Sequence, residues 1–84
     1  MNNVLEKKIE RQIRYYRDRG FSVERLADEY YMNKNRYTEA VMEGGSVIVA
    51  DGGEIPKFGN TEYFYIKKEA TRRLLLEKGV GYEK

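Results

Sequence analysis

Residues 22–41, SVERLADEYYMNKNRYTEAV, decide how this chain is read. Ser22 can cap a helix, its hydroxyl accepting from the free backbone amides of the first turn. Val23, Leu26, Ala27 and Tyr30 then recur at helical spacing as one buried face. Tyr31 and Met32 fall at a break, and Asn33 offers a second capping side chain. A further helical segment, 34–43, follows, with Tyr37, Ala40 and Val41 as its inward positions. Two short helices separated by a turn are therefore expected over residues 22–43.

Upstream, Leu5, Ile9, Ile13 and Tyr16 follow one another at spacings of four, four and three, which is one stripe of a helix over 4–19. Gly20 can take the left-handed conformation that ends such a helix, and Phe21 turns the chain back to the core. Downstream, Gly44 and Gly45 stop the helical part, and SVIVA at 46–50 is a β-branched run of strand type. Asp51, Gly52, Gly53, Pro56, Gly59 and Asn60 mark 51–60 as a loop. TEYFYI at 61–66 reads as a strand pairing antiparallel with 46–50, with Phe64 and Ile66 inward and Tyr63 and Tyr65 on the outer face. From 67 to 78 the pattern is helical again, with Ala70, Leu74 and either Leu75 or Thr71 inward, and Gly79 stops it. The last five residues are expected to fray.

The 84 residues allow one hydrophobic core and hence one domain, 1–84. Hydrophobic residues make up 40% and charged residues 36%, the balance of a globular chain with a charged surface. Cysteine and histidine are absent, which removes disulfides, thiolate nucleophiles, imidazole bases and the usual zinc ligand sets. No apolar run approaches the roughly 20 residues that span a bilayer, and MNNVLEKKIERQ lacks the apolar stretch of a signal peptide, so no membrane contact and a cytoplasmic location are expected. The net charge is only +2, but residues 1–36 carry nine basic and six acidic side chains against seven and eight in 37–84.

On Leu26, Ala27, Tyr30, Met32, Tyr37 and Ala40, residues 22–41 resemble a helix-turn-helix motif, with Tyr31 where such motifs usually have glycine. GGEIPKFGNTEYFYIKKEATRRLLLE, residues 52–77, looks like the wing and following helix of excisionase-like winged-helix proteins, a type common in phages and mobile elements. Ile66, Lys67, Lys68, Glu69 and Ala70 match the junction between wing and last helix. The resemblance implies an α+β fold, a winged helix-turn-helix with its motif at 22–43, its wing at 46–66 and a C-terminal helix at 67–78.

It also implies double-stranded DNA as the partner, bound sequence-specifically by a small transcriptional regulator or excisionase-like factor, with a homodimer covering a longer site. The second helix of the motif would enter the major groove. Lys34, Asn35, Arg36 and Thr38 would face bases or phosphates, Asn33 would cap, and Glu39 and Glu43 would repel phosphates. Lys57 in the wing would hold a phosphate while Phe58 staples the loop. On the first helix, Lys7, Arg11 and Arg14 lie away from the apolar stripe, with Lys8 and Arg17 at its flanks. Glu10 precedes Arg14 by the four residues that favour an intrahelical pair.

A different class is also open: a winged-helix protein-interaction module, such as an inhibitor of a host protein, acting through an exposed Tyr63 and Tyr65 patch. The two differ in geometry, since DNA binding needs Lys34, Arg36 and Lys57 on one face. Phosphate-loop glycines and a distinctive carboxylate pair are both missing from the sequence, so no enzyme, cofactor, metal or small-molecule substrate is expected.

Overall fold

A computed structural model describes residues 3–44 and 61–80. Among the described residues stand three helices and no strand: α1 (Asn3–Asp18), α2 (Val23–Gly44) and α3 (Thr61–Glu77). This all-helical architecture replaces the expected α+β winged helix-turn-helix, and the difference arises at two places.

The first is the supposed turn at 31–33. Leu26, Tyr30 and Asn33 are buried at spacings of four and three, and Tyr37 is half-buried four residues further on. That is one uninterrupted helical stripe, so α2 runs straight through the position assigned to a turn. Asn33 does not cap: its amide donates to the Glu29 carbonyl at 2.7 Å and to the Glu29 carboxylate at 3.4 Å. A buried amide is tolerated mid-helix when the preceding turn supplies its acceptor. Without a second helix, Ala27 has no helix crossing to admit and is simply half-buried.

The second is residues 61–66, which form the first turns of α3 rather than the second strand of a wing. α3 is covered on two opposite sides. Phe64, Tyr65 and Lys68 meet rings or cations of α2, while Glu62, Ile66, Arg73 and Glu77 face α1. Phe64 and Ile66, expected on one face of a strand, thus go to different partners. The strand preference of aromatic and β-branched residues reflects packing, which a helix can also satisfy. The strand expected at 46–50 and the loop expected at 51–60 lie outside the described residues.

α2 and α3 run antiparallel: Arg36 meets Phe64, Tyr37 meets Tyr65, and Leu26 shares a cleft with Leu74. α1 follows no single register on α3, since residue 6 pairs with 73, 8 with 62 and 17 with 77, so these axes cross. One core joins the three helices through Ile9, Tyr16, Leu26, Tyr30, Ala70, Leu74 and Leu75, with Leu5, Ile13, Phe21, Tyr65, Ile66 and Val80 packed against it.

The local punctuation is as expected. Gly20 adopts φ 68° and Gly79 φ 80°, the left-handed region open to glycine. In each case the next residue donates back across the turn, Phe21 to the Tyr16 carbonyl at 3.2 Å and Val80 to that of Leu75 at 2.8 Å. Ser22 Oγ accepts from the Arg25 amide at 3.2 Å and caps α2. Ala70, Thr71, Leu74 and Leu75 are all buried. No described helix is long and apolar enough to cross a membrane.

Candidate functional site

Lys34, Asn35, Arg36 and Thr38 are exposed on the middle of α2. At 3.6 residues per turn, Lys34 and Thr38 share a side while Arg36 stands about 200° away from Lys34. A continuous helix therefore does not gather them on one face. Lys34 Nζ lies 5.9 Å from the Tyr30 ring centre and the Arg36 guanidinium 5.9 Å from that of Phe64. The Thr38 hydroxyl donates to the Lys34 carbonyl at 2.9 Å. α2 carries three cations, Arg25, Lys34 and Arg36, against five carboxylates, Glu24, Asp28, Glu29, Glu39 and Glu43. Its field is thus wrong for a phosphate backbone. Lys57 and Phe58 lie outside the described residues.

The expected tyrosine patch also divides. Tyr63 is exposed, whereas Tyr65 is half-buried with its ring centre 5.6 Å from that of Tyr37. On a helix, residues two apart point about 200° apart instead of sharing an outer face.

α1 has the opposite character. It carries five cations, Lys7, Lys8, Arg11, Arg14 and Arg17, against three carboxylates, Glu6, Glu10 and Asp18. The stripe of Leu5, Ile9, Ile13 and Tyr16 is turned to the core, which leaves Lys7, Arg11 and Arg14 on the outer arc, all exposed, with the exposed carboxylate of Asp18 among them and that of Glu10 at the edge. Charges at the edge of the core are engaged by α3. Arg73 grips Glu6 with two bonds of 2.8 Å, Lys8 donates to Glu62 at 2.7 Å, and Arg17 donates to both oxygens of Glu77 at 2.8 and 3.0 Å. Lys7, Arg11 and Arg14 form no ion pair with a described residue, and the Glu10–Arg14 pair suggested by spacing is not formed.

The paired charges hold this face in place. Arg73 hydrogen bonds keep the Glu6 carboxyl below its ordinary range, and the same bonds raise Arg73. Glu69 is 7% exposed, and three cations converge on it: Arg72 Nε at 3.1 Å and Nη2 at 2.6 Å, Lys68 at 3.4 Å and Arg73 at 3.7 Å. Burial pushes its carboxyl upward, but the Arg72 hydrogen bonds and the surrounding positive charge outweigh that and hold it low. Tyr16 donates to Glu29 at 3.1 Å and ties α1 to α2; burial and the Glu29 charge raise its hydroxyl well above its usual value. Among the described residues no buried side-chain polar atom lacks a partner.

Beside the basic arc, α1 and α3 enclose a cleft of about 390 Å³ lined by Lys8, Arg11, Gln12, Tyr15, Tyr63 and Ile66. Tyr15 and Tyr63 are 47% and 52% exposed. Arg19 lies 4.8 Å from the Tyr15 ring centre and Lys67 4.6 Å from that of Tyr63. Cations and half-exposed rings are groups able to attract and stack on a charged, flat ligand. The basic arc was legible as the reverse of the apolar stripe; its juxtaposition with Tyr63 was not, because that depends on how α3 crosses α1. Compared with protein-family models, curated proteins and solved structures, the chain matches none.

Proposed function

We propose that this chain is a non-catalytic nucleic-acid-binding module, acting in the cytoplasm, whose contact surface is the outer face of α1. One observation carries this: Lys7, Arg11 and Arg14 share an exposed arc without a carboxylate partner among the described residues. Cations left in this state can release the counterions condensed on a phosphate backbone, the main source of affinity for nucleic acids. Arg19 and Lys67 extend the positive field toward the cleft. Sequence-specific duplex recognition through Lys34, Asn35, Arg36 and Thr38 has no helix pair to present it, and α2 is the acidic helix.

The test is a titration of labelled DNA and RNA at several salt concentrations. Replacing Lys7, Arg11 and Arg14 together with glutamine should lower the slope of log affinity against log salt by about 2 to 3 units, since each phosphate contact contributes about 0.7 to 0.9. Replacing Lys34 and Arg36 with glutamine should leave the slope unchanged. No binding at low salt, or an unaffected α1 triple variant, would overturn the proposal.

A further inference from the structure

The α1–α3 cleft combines features that a purely electrostatic surface does not need. Lys8, Arg11, Gln12 and Tyr15 reach it from α1 at spacings of three, one and three, which puts all four on one side of that helix. Tyr63 and Ile66 face them from α3. Each tyrosine is braced on its inner side, Tyr15 against the Tyr16 ring at 5.8 Å and Tyr63 against Phe64 at 5.5 Å, both edge to face. Braced rings that remain half exposed lose little freedom when a flat ligand stacks on them. The volume, about 390 Å³, lies at the small end of ligand pockets and suits one heterocycle with its sugar.

We infer that the strand bound by this module is single, with an unpaired base entering the cleft beside Tyr15 and Tyr63 while its flanking phosphates lie on Arg11, Lys7 and Arg14. The inference rests on the nucleic-acid reading above and adds strand type to it. In a duplex the faces of the bases are stacked on one another and closed to a protein ring, whereas an unpaired base presents its face freely. Ile66 in the lining suits an apolar base surface, and the Gln12 amide brings both a donor and an acceptor to the cleft. Stacking is indifferent to base identity, so little sequence preference is expected. The surface offers the same contacts to DNA and RNA, which the probes separate.

The experiment measures binding of the full chain to oligothymidylate and oligouridylate of about 12 nucleotides, a usual site size, and to a mixed duplex of the same length. Single strands should bind at least about tenfold tighter than the duplex, and Tyr15→Ala or Tyr63→Ala should each weaken them by roughly tenfold without changing the salt slope. Tyr→Phe at either position should restore binding, because the ring rather than the hydroxyl does the stacking. As a check independent of variant folding, ultraviolet cross-linking of wild-type protein to oligouridylate should map to Tyr15 or Tyr63. A duplex bound as tightly as single strands, or cross-links confined to other residues, overturns strand selection and leaves the basic arc standing. Binding of polyglutamate as tight as that of the single strands would show that the chain takes any polyanion and overturn the inference, and absence of binding to every probe at low salt overturns both proposals.

Discussion

α1 and α2 flank the same helix and are fastened to it in different ways. α1 meets α3 through ion pairs, Glu6 with Arg73, Lys8 with Glu62 and Arg17 with Glu77. α2 meets it through rings, Tyr37 against Tyr65 with Lys68 beside both. The fastening governs what remains outside: α1 presents Lys7, Arg11 and Arg14 against Glu10 and Asp18, while α2 presents Glu24, Asp28, Glu39 and Glu43 against Arg25, Lys34 and Arg36. Two helices with similar numbers of charges thus acquire outer faces of opposite sign. Composition already gives the two helices opposite balances, and packing decides which of their charges are left to meet a partner.

The contrast requires α2 to be one helix, and its continuity is the most sensitive point. Asn33→Pro would remove an intrahelical hydrogen bond and clash with the preceding turn, at a cost of about 3 kcal/mol or more. A turn at 31–33 would absorb the same proline with little loss. The denaturant midpoint, with the slope checked for constancy, separates the two outcomes.

A second measurement sharpens the difference in fastening through its pH dependence. Glu6 and Glu69 hold their carboxyls below the ordinary range in the folded chain. The stability each contributes is therefore complete above the unfolded value, near about 4.3, and is lost as pH falls through the lower folded value. Of these two, only Glu6 joins α1 to α3, through Arg73, the partners of Glu69 all lying on α3 itself, so protonation of Glu6 should loosen α1, which amide hydrogen exchange would record as earlier loss of protection there. Glu69→Gln, which leaves three cations facing a neutral amide, should cost about 1 to 3 kcal/mol near neutral pH and flatten the acid limb of stability. Uniform loss of protection in all three helices would remove the proposed difference.

The smallest effect addresses Tyr31, exposed on the outer side of α2. Glycine there should destabilise a continuous helix by roughly 1 kcal/mol. A helix-turn-helix, which favours glycine at that place, would be unaffected or gain stability, and a thermal melt is enough to tell the two apart.

Much of the fold was legible because it is local. The four-four-three spacing of Leu5, Ile9, Ile13 and Tyr16, the left-handed Gly20 and Gly79, the Ser22 cap and the buried Ala70, Thr71, Leu74 and Leu75 depend on helix geometry alone. Asn33 was misread because an amide before a helical run has two solutions. It can cap a new helix, or it can donate to the carbonyl four residues back, and only the packing around it chooses between them.

TEYFYI was misread for a related reason. Its aromatic and β-branched residues favour a strand by propensity, but that propensity is one of packing, and α1 and α2 supply the packing to a helix, so the choice belongs to the partners. The candidate site divides along the same line. Lys7, Arg11 and Arg14 follow from the apolar stripe of their own helix, and the sequence by itself determines that they point outward. Which carboxylates would neutralise their neighbours, and that Tyr63 would stand across a cleft from Tyr15, were decided by how α3 crosses α1. Contacts more than 45 residues apart in sequence leave no local periodicity from which to read them.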